Sequence, residues 1–451
     1  MEVGAFLWED KLAVAALAWC LTVALVAYAA RRPKRVYLLD YACHKPEDAT
    51  KCSYEASEYF VLKSGRYTAD SVDFMRTIFL KSGLGNETYV PSFLFEQDGD
   101  PRLATAIREA EEGLFSAADA VLRKTRMDPE MIDVVVVTCS MLWPAPSLSS
   151  MIVNHCKLRP DVKTFNLSGM GCSAGGLAMD LAARILRQKS GGYALVLATE
   201  STSLNWYFGN NRSMLVTNCI FRVGAAAALL TSDPARRRSA MMELVHALRT
   251  HHGASDPSFQ SALQREDEMG TGGVELSKDL VCVAGAALRE HIRSLALRML
   301  PISELLQYAC AAARSAALRA VATRGAAAQG KVAQPPVPDF TQAFEHMCFH
   351  PGGKAVINKL WRLMRLPDEM VEPARMTLHR FGNTSSSSIF YELGYFEAKG
   401  KLKRGDRLWM LAFGTGFKVS SLVWVALRDS RVDPDNPWAD CAHIYPVEVP
   451  L

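Results

Sequence analysis

No cysteine in this chain stands in a CxxC pair or in a Cys/His cluster with zinc-ligand spacing, so neither a zinc module nor a disulfide framework is legible. The eleven cysteines are scattered singly and odd in number, which fits a reduced, cytosol-facing chain better than a secreted one. Charge of one sign is also scarce. A net charge of +4 over 451 residues, with no polybasic block outside the N-terminal region, gives nucleic acid nothing to hold. Dinucleotide-binding and metal-binding motifs are missing. With 49% hydrophobic and 22% charged residues, disorder is excluded for most of the chain, and the length is enough for a large core and more than one domain.

Long hydrophobic runs are limited to one. Leu12 to Ala30 reads "LAVAALAWCLTVALVAYAA" without a charge, and at about 1.5 Å per residue it nearly spans a hydrocarbon core of roughly 30 Å. Glu2, Glu9 and Asp10 precede it, whereas Arg31, Arg32, Lys34 and Arg35 follow. A cleaved signal peptide would carry the basic residues first, so the run is read as a transmembrane anchor. The positive flank on its C-terminal side places everything beyond Arg35 in the cytosol.

Past the anchor, strand-like and helix-like segments alternate: "IDVVVVTCS", a helix from the Cys172 segment to about Gln188, "YALVLATE" and "GAAAALLTS". A similar series returns later as the loop "RFGNTSSSS", the helical "IFYELGYFEAKG", and two strands split by "GTG". The pattern predicts an α/β protein of two duplicated, layered halves, with an anchor over residues 1–35, a first half over 36–235 and a second over 236–451. "SDPARRRS" between the halves reads as a boundary, and the Ala/Gly/Pro-rich stretch from Arg324 to Asp339 as an external insertion rather than a lid.

One cysteine has unusual surroundings. In "NLSGMGCSAGG", Cys172 lies among Gly169, Gly171, Gly175 and Gly176, directly before the helical "LAMDLAARIL". Glycines there permit a tight turn and close approach of a backbone or substrate. A helix N-terminus stabilises a thiolate, so its pKa is expected below the usual value of about 8.5. Most lone cysteines in apolar helices are simply small core residues; the glycines are what make this one a candidate nucleophile. A nucleophile needs a base and an oxyanion site, and two similar settings provide candidates: His350 in "FHPGGKAVI" and Asn383 in "HRFGNTSSSS". The competing readings are a packed histidine and a turn or N-cap asparagine. Papain-like proteases share the order Cys, His, Asn, but "GCSAGG" lacks their aromatic residue after the nucleophile.

Taken together, "VYLLDYACHKP", "NLSGMGCSAGG", "RTHHGASD", "MCFHPGGKAVI", "HRFGNTSSSS" and "NPWADCAHIYPVEVP" resemble the plant 3-ketoacyl-CoA synthases, condensing enzymes of very-long-chain fatty acid elongation within the thiolase-fold superfamily. The similarity runs from about Val36 to the end. It implies catalytic roles for Cys172, His350 and Asn383, supporting roles for His251, His346 and His379, and an oxyanion site built from the backbone N–H groups of Cys172 and Thr415. It further implies acyl-CoA and malonyl-CoA as substrates, no cofactor and no metal. The expected setting is the endoplasmic reticulum membrane with the catalytic part facing the cytosol, a homodimer, and elongase reductases and a dehydratase as partners. Three rivals share features with this reading. A degradative thiolase needs a second cysteine near "FGTGF", a chalcone-type polyketide synthase would not carry a membrane segment, and a non-catalytic elongase subunit would not need an intact triad.

Overall fold

A run such as Val134–Val137 is stable as a strand only where both faces of its sheet are covered, and in the computed structural model all four valines are buried. The structure describes Trp19, Cys20, Thr22, Val23 and residues 34–449, apart from 97, 98, 100, 190 and 325–336. Among these residues no helix is long and apolar enough to cross a membrane. Almost all of the expected anchor, Leu12 to Ala30, lies outside the described residues, as does most of the expected insertion between Arg324 and Asp339.

Nine strands form one continuous sheet: β1 (Tyr37–Cys43), β2 (Val134–Thr138), β3 (Lys163–Leu167), β4 (Tyr193–Thr199), β5 (Ala225–Thr231), β6 (Met242–His251), β7 (His346–Phe349), β8 (Arg407–Gly414) and β9 (Lys418–Ala426). Their order is β7-β8-β9-β6-β1-β5-β4-β2-β3. β1 pairs with β5 along its length but with β6 only through Tyr37 and Leu38, opposite Glu243 and Met242. The sheet is therefore nearly two sheets. The turn Pro234–Arg238 carries the chain from β5 to β6, across that seam.

Seven helices bear on function: α1 (Leu103–Thr125), α2 (Ala174–Leu186), α3 (Leu280–Met299), α4 (Ile302–Arg324), α5 (Lys354–Met364), α6 (Asp368–Phe381) and α7 (Ser388–Ala398). α2 and α7 are interior. Met179 and Ala182 of α2 and Phe390 of α7 share one core with Val134 and Val136 of β2 and with Met410 of β8. The alternate residues of the same strands point outward: Val135 and Val137 pack in a core with α1, and Trp409 and Leu411 in a core with α3, α5 and α6. The period of two along each strand thus feeds two different cores. The result is helix, sheet, helix, sheet, helix.

Interior helices fit because the strands facing them are lined with small residues, Ala194 and Ala198 on β4 and Ala226 and Ala228 on β5. They fit against each other because of glycine. A Cβ placed on Gly175 would sit 2.2 Å from the carbonyl oxygen of Ser386, at the foot of α7. Gly175→Ala is therefore expected to lower stability by about 1–3 kcal/mol, the usual range for overpacking a core. Gly272→Ala, where a Cβ meets nothing within 4 Å, is the matched control. Denaturant unfolding of the two variants checks this; equal midpoints would mean the helices do not touch at Gly175.

Candidate active site

Cys172 stands in a single 3-10 turn, Gly171–Ser173, between β3 and α2. Gly171 takes a φ of +59°, which glycine adopts freely and other residues rarely do. The "FGTGF" turn after β8 closes over it: a Cβ on Gly414 would lie 2.7 Å from the Cys172 amide nitrogen, and one on Gly171 would lie 2.7 Å from that of Thr415. Two amide-bearing turns are thereby packed backbone to backbone.

His350 follows β7, which lies parallel to β8, and its own amide donates to Leu411 at 2.9 Å. The ring is buried and sits edge-on to Phe413, with 5.5 Å between centroids, and its Nδ1 has no hydrogen-bond partner among the described residues. Asn383 is pinned by its main chain, which donates to Ile220 at 3.1 Å and accepts from Arg222 at 2.9 Å. Its side chain divides its work: Oδ1 accepts from the Ser385 amide at 2.8 Å, as a turn-capping asparagine does, while Nδ2 donates to the Gly352 carbonyl at 3.4 Å. The capping reading and the chemical one thus use opposite ends of one amide.

Cys172, His350 and Asn383 line one cavity of about 380 Å³, together with His251 and Thr415. Cys172 is the only cysteine among its described lining residues. The other two motif histidines lie elsewhere. His346, at the start of β7, is 2.8 Å from Asp406, and His379, near the end of α6, is 3.0 Å from the Tyr445 hydroxyl, where it ties down the C-terminal tail. His251 ends β6 and accepts from the Gly253 amide at 3.0 Å. The apolar wall comes from the ribbon of Ala262–Glu266 and Gly272–Leu276 and from the start of α3, through Leu263, Val274, Leu276 and Leu280. A trio with metal-ligating atoms within 4.8 Å of one another, Asp119, His155 and Cys156, belongs to other helices and does not line this cavity.

Sequence reasoning missed two side chains here. Glu200 is buried at the end of β4 and accepts from the amides of Ser140 at 2.9 Å and Met141 at 2.8 Å. Ser385 has a φ of +55°, a left-handed conformation that costs a non-glycine residue about 1–2 kcal/mol. That conformation puts its hydroxyl 3.0 Å from Glu200 Oε2 and 3.6 Å from Cys172 Sγ, two acceptors for one hydrogen. Both residues had a weak signal: a lone carboxylate closing an apolar strand, and a hydroxyl two residues beyond a candidate asparagine.

The lowered thiol pKa expected from the helix position is not what the fold produces. Part of Cys172 opens on the cavity, but the surrounding protein withholds solvent from a thiolate, and burial with the neighbouring Glu200 pushes the pKa up to about 12. Hydrogen bonds from Ser385 and Asn383 oppose that shift without cancelling it. Burial also pulls His350 down to about 3 and raises Glu200. At neutral pH the resting pair is thiol and neutral imidazole, not thiolate and imidazolium.

Residues 28–316 match the family model "FAE1/Type III polyketide synthase-like protein", and residues 341–426 match "3-Oxoacyl-[acyl-carrier-protein (ACP)] synthase III C terminal". Among curated proteins, 3-ketoacyl-CoA synthase 17 of Arabidopsis thaliana is 45% identical over 95% of this chain and 86% of its own length. The chain belongs to the 3-ketoacyl-CoA synthase family. 3-ketoacyl-CoA synthase 2 of the same plant is 46% identical over 94% of this chain and 80% of its own. A type of fold shared beyond the family is seen in the crystal structure of PKS-I from the brown alga Ectocarpus siliculosus, which superposes with a TM-score of 0.69 at 16% identity, covering 88% of this chain and 99% of that one. The synthase here thus has a mixed α/β, thiolase-like architecture.

With the thiol pKa near 12, alkylation of Cys172 by iodoacetamide should rise about tenfold per pH unit from 7 to 10 without a plateau. Removing the Ser385 hydroxyl raises the pKa further, so Ser385→Ala should slow alkylation, whereas Glu200→Gln removes a repelling charge and should speed it. Mass spectrometry of the Cys172 peptide reads all three rates. A plateau near pH 8 would show a thiolate that the fold already stabilises.

Proposed function

We propose that this synthase carries out the decarboxylative condensation of malonyl-CoA with a long-chain acyl-CoA, giving a 3-ketoacyl-CoA two carbons longer. Membership of a family whose curated relatives are named 3-ketoacyl-CoA synthases supports an acyl-condensing transferase acting on CoA thioesters. The single observation that carries the residue assignment is that Cys172, His350 and Asn383, from three separate turns, line one cavity.

In the first half-reaction Cys172 Sγ attacks the acyl thioester carbon, the bond to the CoA sulfur breaks, and an acyl-Cys172 thioester forms. Because the resting nucleophile is a protonated thiol, its proton has to leave during the attack. The neutral imidazole of His350 is the base in the cavity, and the departing CoA thiolate is the final acceptor. Backbone N–H groups of Cys172 and Thr415 hold the oxyanion. Malonyl-CoA then loses carbon dioxide, and the electron pair of the broken carbon–carbon bond moves onto the thioester oxygen. His350 and Asn383 donate hydrogen bonds to that oxygen, so an enolate forms rather than a free carbanion. The enolate carbon attacks the acyl-Cys172 carbonyl, a carbon–carbon bond forms, and the cysteine sulfur leaves as a thiolate that takes up a proton from solvent, the original one having left with CoA. His251, His346 and His379 serve as supports, and no cofactor enters any step.

A thiolase would need a second cysteine acid in the cavity, and the described lining has Cys172 alone. In this reading the apolar run from Leu12 to Ala30 is the anchor, holding the enzyme on the endoplasmic reticulum membrane, where a poorly soluble acyl chain is delivered from the bilayer. The catalytic part faces the cytosol as a homodimer, beside the reductases and dehydratase that process its product.

Three measurements test these assignments. In purified membranes, Cys172→Ser should abolish condensation in a folded protein, since a hydroxyl is a far weaker nucleophile; full activity would remove Cys172 from the mechanism. Asn383→Asp should damage malonyl decarboxylation more than acyl-enzyme formation, because a carboxylate repels the developing enolate, and the opposite pattern would reverse the role. Protease added to sealed microsomes should digest the chain beyond Arg35; protection until detergent is added would overturn the topology.

A further inference from the structure

A second cavity, of about 600 Å³, shares no lining residue with the one that holds Cys172 and lies between α3, α4 and α5. Its wall is cationic. Arg289 and Arg293 stand four apart on α3, Lys359 and Arg362 three apart on α5, and Arg365 follows where α5 ends. Neither Asp nor Glu lines it among the described residues. Like charges at such spacings share a helix face and repel, each pair costing a helix about 0.2–0.5 kcal/mol. A merely solvated basic surface would be relieved by interspersed acids. The acids nearest these cations in sequence are engaged elsewhere, Glu290 with His252 at 3.5 Å and Asp368 with Arg375 at 3.0 Å. No ion pair forms on Arg289, Arg293, Lys359 or Arg362 among the described residues.

The floor is of the opposite character. Ile292, Phe340, Leu363 and Met364 form an apolar base, with Tyr308 of α4 at one side. Beside it, at the junction of α3 and α4, Leu297, Ile302 and Leu306 remain 73%, 75% and 61% exposed. An apolar base under a ring of guanidinium groups matches one kind of molecule: hydrocarbon at one end, phosphate at the other, with arginine forks suited to phosphate oxygens.

We propose that this cavity is a second ligand site, which takes a phosphorylated amphiphile with its phosphate on Arg289, Arg293, Lys359 and Arg362 and its chain on the apolar floor. The site stands apart from the condensing reaction and does not depend on the roles of Cys172, His350 or Asn383. A phospholipid and the phosphate-bearing end of a CoA thioester share this chemistry.

The test uses the full chain in neutral detergent micelles, comparing wild type with the triple variant Arg289→Gln, Arg293→Gln, Arg362→Gln. These three side chains are exposed, so folding should persist, and circular dichroism checks it. Oleoyl lysophosphatidic acid and CoA are titrated separately, with uncharged monooleoylglycerol as the control. CoA bound at the catalytic cavity contributes equally to both proteins, so only a difference between them reports the second site. A weakening of at least about tenfold for lysophosphatidic acid in the triple variant, absent for monooleoylglycerol, supports the site with a lipid as its source; the same loss for CoA supports it with a nucleotide source. Should the triple variant fail to fold, Arg362→Gln alone is expected to weaken the same probe about threefold. Equal binding of both probes to wild type and variant, or no saturable binding of either, would overturn the proposal.

Discussion

The contact between the Cys172 turn and the foot of α7 is the constraint on which the rest of the structure depends. A cysteine at the start of one interior helix and an asparagine at the start of another become neighbours only if the helix ends approach to backbone contact, and a single methyl at Gly175 would fill that space. The same is true of the "FGTGF" turn, where Gly414 lies against the Cys172 amide. Small strand residues behind the helices serve the same end, since bulkier side chains on β4 and β5 would push α2 outward. The chemistry is built from places where side chains are missing.

Enclosure sets the electrostatics. Because the thiol, the imidazole and the Glu200 carboxyl are all withdrawn from water, each is driven toward its neutral form, and local hydrogen bonds only moderate the effect. Ser385 is the adjustable element, with one hydrogen and two acceptors. In the proposed reaction, turning that hydrogen from Glu200 to Cys172 would stabilise charge building on the sulfur. A resting thiol of this kind resists adventitious oxidation and alkylation, which act on thiolates.

Much of this was legible in the chain, for identifiable reasons. Val134–Val137 and Ala225–Leu230 could be read as buried strands because nothing polar interrupts them, and the glycines around Cys172, His350 and Asn383 marked turns that an ordinary helix would avoid. What escaped reading depends on tertiary placement. Ser385 was one serine in a run of four, and only its left-handed backbone distinguishes it. Glu200 looked like the polar end of a strand until the fold buried it. The thiol pKa was argued from the helix end, a local effect, while its largest cause is burial supplied by residues far away in the chain. The ribbon of Ala262–Leu276 gave no hint of lining a cavity, since its sequence, "ALQREDEMGTGGVEL", is charged and glycine-rich like an exposed turn.

The narrow seam between β1 and β6 sets how the two half-sheets are held together. A full ladder would lock them in one register, but here two residue pairs carry the strand pairing, and the rest of the adhesion comes from side chains: the core around α2 and α7, and the ion pairs Arg35–Glu243 and Arg428–Asp40 at 3.2 Å each. Side-chain packing admits small tilts that a ladder forbids. The gap between the Cys172 and Asn383 turns therefore depends on the packing of the interior helices as well as on the residues that line it. Divergence in such an enzyme has two handles: the cavity wall itself, and the core packing behind it.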